Sequence, residues 1–474
     1  MLFNSQAFAI FLPIVFILYW KLQHKYRWIL LLIASYYFYM SWNPKYVILI
    51  LLTTFVSFLA GRLLEFETNQ RKRKVILLGT LCICLGILFT FKYFNFFSES
   101  VTDFLNMLAI PLHPVTVNLL LPVGISFYTF QTLSYVIDVY NRKVPVEHHF
   151  GIFATFISFF PQLVAGPIER SQNLLPQITS KKYFDYDNAV SGLRLMAWGF
   201  FKKMAIADVV AIYVDAGYGA LNSCTGLDLL CLVLFFTIQI YCDFSGYSDI
   251  AIGTAKLFGI NLMTNFKSPY FSASLKEFWS RWHISLSTWF RDYVYIPLGG
   301  GRCTSEKNYR NLLVTFLLSG LWHGANWTFV IWGMLHGLGL VVEKFCHRNI
   351  RSFPFMPNFV RIIIIFVFCN IAWIVFRANN IGEFAFILQG IVNGMNDPST
   401  FLHSNIGLNK SILIKIGISL FILAMYDYMS TRHDVLQWVA DRNFITRWCI
   451  YIGIIFYTIL NMPLKPSSFI YFQF

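Results

Sequence analysis

Long apolar windows separated by short polar ones run along nearly the whole chain: Phe8 to Trp20, Tyr46 to Leu64, Val75 to Phe91, Leu227 to Ile240, Ile362 to Val375, Ile412 to Met425 and Cys449 to Leu460. The hydrophobicity inside each window is continuous rather than alternating, which predicts helices and not barrel strands. A bilayer span needs about 20 mostly apolar residues, and flanking aromatics lengthen the shorter windows, so the pattern predicts an all-α polytopic membrane protein of roughly 11–13 transmembrane helices. The first window has no small-residue cleavage site after it and runs on into more apolar sequence. It reads as a retained helix rather than a signal peptide.

Orientation follows from Lys and Arg, which short cytoplasmic loops retain. The stretches "KLQHKYR" after the first window and "QRKRK" at Gln70 to Lys74 face the cytoplasm on this rule, which places the N-terminus outside a bacterial inner membrane. The basic stretches at Asn141, Lys181, Gly301, Glu343 ("EKFCHRNIR") and Thr431 to Arg447 fall on the inner side, and the terminal "FIYFQF" ends outside. Two stretches without Lys or Arg, 93–141 and 378–409, contain outward loops.

Composition agrees with a lipid solvent. The chain is 57% hydrophobic and 13% charged, with a mean hydropathy of +0.58, against about 45–50% apolar and about 25% charged in soluble domains. The net charge of +14 is dispersed over inner loops rather than gathered on one face, so it argues for anionic-lipid contact and against a nucleic-acid partner. A basic inner vestibule that attracts a phosphorylated substrate such as coenzyme A is a second use of that charge. The nine cysteines form no C-x-x-C pair and indicate neither a zinc site nor a disulfide framework. The string "DFSGYSD" has its glycine on one side of the serine only and is no nucleophile elbow. With no linker or inverted repeat, the chain reads as a single membrane domain over 1–474: N-terminal helices in 1–140, a catalytic core in 141–347 and C-terminal helices in 348–474.

Ionisable residues inside spans cost at least about 2.5–3.5 kcal/mol each at mid-depth, so their placement marks function. They gather in the middle third: Asp208, Asp243, Asp249, Glu277, Arg281, His283, Arg291, Asp292 and His323. Ser245 and Asp249 lie four apart on one helical face, as do Asp243 and Tyr247. Both carboxylates are candidates for positioning a substrate or a histidine, or for bonding neighbouring helices. Lys276 to Arg302 reads as one amphipathic, aromatic helix ending at Pro297, in which Glu277 pairs with Arg281, and His283 shares a face with Ser287. Its Trp279, Trp282, Trp289 and Tyr293 suit an interfacial belt.

"SGLWHGANWTFVIWGMLHG", Ser319 to Gly337, holds two histidines in an apolar run. His323 is closely flanked by Gly320 and Gly324, which removes bulk and lets backbone or ligand approach. An imidazole takes a proton from a hydroxyl and returns it to a leaving group near neutral pH. If one continuous helix carried both His323 and His336, they would be about 220° and about 20 Å apart, which assigns His336 to packing. His148 and His149 read as solvated or interfacial.

These strings resemble the membrane-bound O-acyltransferases, in the bacterial branch that includes alginate O-acetyltransferase. The resemblance is carried by "FNSQAFAIFLPIVFILYW", "LPVGISFYTFQTLSYVIDVY", "FFPQLVAGPIER", "QIYCDFSGYSDIAIG", "EFWSRWHISLSTWFRDYVYIPLGG", "GLWHGANWTFVIWGMLHG" and "FIYFQF", and covers nearly the whole chain. Where that branch often reads "IPLGGNR", this chain reads "IPLGGGR". The resemblance implies a ring of helices, with short or re-entrant ones, around a thin centre where a funnel from one side meets a tunnel from the other. It implies His323 as the essential residue and His283 as a second important one. Asp243, Ser245, Asp249, Arg281, Ser287, Trp322 and Asn326 complete the expected substrate-binding set, with no metal and no bound cofactor.

The expected activity is O-acyl transfer, most specifically O-acetyl transfer, from a cytoplasmic thioester (acetyl-coenzyme A or an acyl carrier protein) toward an exported polysaccharide or cell-wall glycopolymer. The family suggests an extracytoplasmic partner, an SGNH-hydrolase-like acetyltransferase, or polymer-export proteins. The reading requires His323 to be reachable from both aqueous sides. A transporter of lipid-linked glycan or acyl groups is the alternative and predicts transport without acyl-bond chemistry; a scaffold that only recruits an external enzyme is a third and predicts that His323 is dispensable.

Overall fold

The computed structural model describes residues 1–349, 356–465 and 467–470, and among them every regular element is helical. All seven apolar windows lie within helices. Among the described residues seven helices are long and apolar enough to cross a membrane: Pro44–Phe66, Gln70–Met107, Gly226–Leu257, Trp327–Arg348, Asn358–Arg377, Lys410–Ser430 and Phe444–Asn461, with Gln6–Lys21 a shorter apolar one. The larger count expected from the sequence includes helices too short or too polar to qualify. Ile125–Tyr140, for example, buries Thr129, Gln131, Thr132, Ser134 and Asp138 along with its apolar residues. Within "FIYFQF", residues 471–474 lie outside the described residues, as do Ile350 and Arg351 of "EKFCHRNIR".

Asparagine sets several helix starts by accepting an otherwise orphaned backbone N–H. Asn69 Oδ1 takes Arg71 N at 2.9 Å, Asn409 Oδ1 takes Ile412 N at 3.0 Å and Asn443 Oδ1 takes Thr446 N at 2.9 Å. The last helix, Phe444–Asn461, leaves Ile452, Ile455, Phe456, Ile459 and Leu460 exposed. A face so apolar suits lipid, where it loses nothing to water.

The chain forms two compact units, Met1–Leu193 with Ala251–Met263, and Arg194–Ile250 with Thr264–Phe474. In the first, Phe3, Phe8, Phe11, Phe38 and Phe160 pack ring to ring. Ser35 Oγ accepts the Phe160 backbone N–H at 3.0 Å, which fixes the buried loop after the Phe150–Ser158 helix. In that loop, Glu169 accepts Asn173 Nδ2 at 2.7 Å and the Met263 backbone N–H. Its burial pushes the carboxyl above the usual range, and these donors pull against the shift.

The second unit holds the polar residues singled out above. A seven-residue π-helical stretch, Phe201–Ala207, runs into the Asp208–Gly219 helix, and such widened turns recur at functional sites. Lys276 to Arg302 is not one helix. It breaks into Leu275–Arg281, Ile284–Phe290 and a π turn Arg291–Tyr295, because His283 takes a left-handed conformation (φ 43°) between the first two.

Candidate active site

Helices Ser305–His323 and Trp327–Asn349 fold back on each other as a hairpin, tied at its far end by Lys344 Nζ donating to Asn308 Oδ1 at 2.6 Å. Glycine sets how closely they approach. A Cβ on Gly320 would stand 2.2 Å from the Phe329 carbonyl oxygen, and one on Gly333 2.2 Å from that of Phe316. Gly324 is filled as well, since a Cβ there would meet the Phe329 ring at 2.0 Å. The space expected at Gly320 and Gly324 for a ligand is therefore taken by the opposite helix. Gly320 and Gly333 serve backbone-to-backbone packing of the kind small residues provide in membranes, and Gly324 makes room for the Phe329 ring.

The hairpin also corrects the geometry of the two histidines. His323 ends one helix and His336 lies on the next, so they are not strung along a single rod. Trp332 touches both, with ring centroids 5.0 Å from His323 and 4.8 Å from His336. His323 is 3% exposed and meets Trp322, Trp332 and Phe376 edge to face. It is thus packed against three aromatic rings.

His283 is fully buried against Phe244 at 4.5 Å and lies 5.9 Å from Trp322. Trp322, at 4.9 Å from His323, therefore stands between the two candidate histidines and couples their positions. The left-handed backbone puts His283 at the N-terminal cap of Ile284–Phe290, the helix that carries Ser287. Ser287 N donates to His283 O at 2.9 Å, while Ser287 Oγ donates to Trp282 O at 3.1 Å. Strained non-glycine residues of this sort cluster at functional sites.

Trp279, Trp282 and Trp289 are buried rather than interfacial. Trp282 stacks on Phe278 and tilts onto Trp373 at 5.0 Å, because aromatic edges and faces satisfy one another within the unit. Trp279 Nε1 donates to His336 Nδ1 at 3.3 Å, and Phe278 and Phe368 flank the His336 ring.

The candidate carboxylates belong to a buried ionic cluster that sequence reasoning missed in part. Lys203 Nζ lies 2.6 Å from Asp243 and 2.8 Å from Asp208. Lys202 Nζ lies 2.7 Å from Asp249 and donates to Ser245 Oγ at 2.9 Å, so Ser245 and Asp249 do share a face. Beside them Tyr241 donates to Asp427 at 2.8 Å. The signal for the lysines was present as "FFKKMAIAD", two cations inside an apolar run, and Asp208, Asp243 and Asp249 in the same third of the chain needed partners. Asp243 also accepts the Ile470 backbone N–H at 2.8 Å.

Arg281 pairs with Glu277 at 2.6 Å, as its spacing predicts, and is a quarter exposed. Asn326 holds the turn of the hairpin: its Oδ1 takes Thr328 N at 3.0 Å and its Nδ2 donates to Asn379 O at 3.0 Å. The structure thus brings His283, Trp322 and His323 together, and gathers Asp243, Ser245 and Asp249 around two lysines. His148 and His149 are exposed, as expected.

The pattern of the membrane-bound O-acyltransferase family matches residues 141–384, which include every one of these candidates. The chain belongs to that family. As a membrane-bound O-acyltransferase it is similar to the probable alginate O-acetylase AlgI of Pseudomonas aeruginosa, 41% identical over 385 residues that cover 80% of this chain and 73% of that protein. It is 38% identical to the peptidoglycan O-acetyltransferase of Helicobacter pylori over 435 residues, 84% of this chain and 81% of that one. The teichoic acid D-alanyltransferase of Bacillus subtilis is 28% identical over 260 residues, 52% of this chain and 65% of that protein. The protein is an acyltransferase of the membrane.

Proposed function

We propose that the protein transfers acetyl from a cytoplasmic thioester, acetyl-coenzyme A or an acyl carrier protein, to a hydroxyl of an exported polysaccharide or cell-wall glycopolymer. It does so in the bacterial inner membrane with its N-terminus outside, directly or through an extracytoplasmic SGNH-hydrolase-like acetyltransferase or polymer-export proteins. The observation that carries this reading is the buried row His283, Trp322, His323 in a chain of this family. The names of the alginate and peptidoglycan acetylating relatives support the class of acceptor.

His323 is the general base. Its imidazole takes the proton of the acceptor hydroxyl as the oxygen attacks the thioester carbonyl carbon, then returns it to the departing thiolate. His283, fixed by its backbone and by Phe244, orients the acceptor or stabilises the developing oxyanion. Lys202 and Lys203 hold Asp208, Asp243 and Asp249 in one buried ionic cluster within the same unit. Acetyl-coenzyme A is a substrate here, and no resident cofactor or metal is needed for this chemistry.

The test is purified protein incubated with labelled acetyl-coenzyme A, with and without polymer. Thiol release that depends on the acceptor is the expected result. Passage of an intact acyl or glycan group across vesicles with no thiol released would replace this reading with a transporter.

A further inference from the structure

We infer that Trp332 and His336 form a pair of hydrogen-bond donors that receives the thioester carbonyl and the adjacent amide carbonyl of a pantetheine thioester, with the thioester carbonyl on Trp332 beside His323 and Thr328 as a third donor on the acceptor side. The inference rests on the proposed acyl transfer and names the part of the site that reads the donor.

Thr328 Oγ1, Trp332 Nε1 and His336 Nε2 are each buried with no hydrogen-bond partner among the described residues. His336 Nδ1 accepts from Trp279 Nε1, so the neutral ring carries its proton on Nε2, which is a donor. Buried donors without acceptors are costly and rare, and a native one calls for an explanation. Here the three recur every fourth residue of one helix, within about 80° of its circumference and about 6 Å apart along its axis.

The spacing suits one class of ligand. A pantetheine thioester presents a thioester carbonyl and two amide carbonyls separated by four or five covalent bonds, about 5–6 Å when extended. All three are acceptors, and the arm between them is apolar. The central donor, Trp332, is the one whose ring touches His323. The exposed Lys344 and Arg348 stand at the far end of the same helix, on the side where the phosphates of coenzyme A or a carrier protein approach. The amide nearest the thioester then meets His336, and Thr328 is left on the acceptor side.

In the reaction, the acceptor oxygen bonds to the thioester carbon and the carbonyl electron pair moves onto its oxygen, held by Trp332 Nε1–H. The proton passes to His323. Collapse breaks the carbon–sulfur bond, and the thiolate takes that proton, so an ester and a free thiol result. Trp373 and Phe376 pack on Trp332 at 5.7 and 5.3 Å, so entry of the arm as inferred requires both rings to move.

Trp332→Phe keeps a ring and deletes the donor. With acetyl-coenzyme A or acetyl carrier protein, whichever the parent uses, it is expected to lower kcat about 10²–10³-fold while leaving the donor KM within a few-fold. His336→Phe is expected to raise the donor KM with kcat nearly unchanged. A Trp332→Phe enzyme within threefold of the parent in kcat overturns the inference. A second measurement needs no variant: the ¹³C-labelled ketone analogue of acetyl-coenzyme A, bound to the parent, should show a carbonyl stretch lowered from its value in an aprotic solvent. An unshifted stretch overturns the inference even if Trp332→Phe fails to fold. A parent that releases no thiol under any condition instead refutes the acyl-transfer reading, so the two failures are distinguishable.

Discussion

Lys202 and Asp249 form an ion pair of 2.7 Å inside the second unit, with side chains 4% and 19% exposed. Removing one partner of such a pair strands a charge in low dielectric, which costs about 3–5 kcal/mol. Lys202→Met should therefore lower the thermal midpoint in detergent sharply. The double variant Lys202→Met, Asp249→Leu should regain most of the loss, since a well-packed apolar pair often matches a buried ionic one. If the double variant is as unstable as the single, the pair is not what holds this region.

His323→Ala should abolish thiol release and polymer acetylation while leaving the amount of protein in the membrane unchanged. The ring packs edge to face on three aromatics, so its loss costs some stability, and abundance must be compared by immunoblot. Equal activity in the variant would refute the base assignment.

The hairpin glycines make a contrasting pair of tests. Gly333→Ala drives a methyl group to 2.2 Å from the backbone oxygen of Phe316, which a rotamer change cannot relieve. Overpacking of that kind costs about 1–3 kcal/mol, and here it also displaces the helix that ends in His323. Gly417→Ala, with nothing within 4 Å, should be neutral or stabilise its helix by about 0.5–1 kcal/mol. Matched melting curves for the two variants decide the matter.

At His283 backbone and chemistry can be separated. Asparagine tolerates a φ of 43°, whereas a β-branched residue does not. His283→Asn should fold like the parent and lose activity if the imidazole does more than shape the turn. His283→Val should lose about 1–3 kcal/mol of stability from strain alone. An active His283→Asn enzyme would reduce this residue to a structural one.

Much of the molecule was determined by sequence alone. Every apolar window became a helix, because in lipid a backbone must satisfy its own hydrogen bonds and a helix does so locally. Glu277 with Arg281, and Ser245 with Asp249, were legible for the same reason: spacing along one helix fixes which side chains are neighbours. The family was legible because its strings are contiguous.

What only the tertiary structure decided concerns residues that meet across turns. Periodicity carries no trace of the break at His283, since a single left-handed residue leaves the apolar pattern on both sides intact. The approach of Gly320 to Phe329, the place of Trp332 between His323 and His336, and the choice of Lys203 as partner of Asp243 depend on helices folding back on one another. Such contacts are set by the volume and charge that two distant segments must share, and a one-dimensional pattern records each segment without the other.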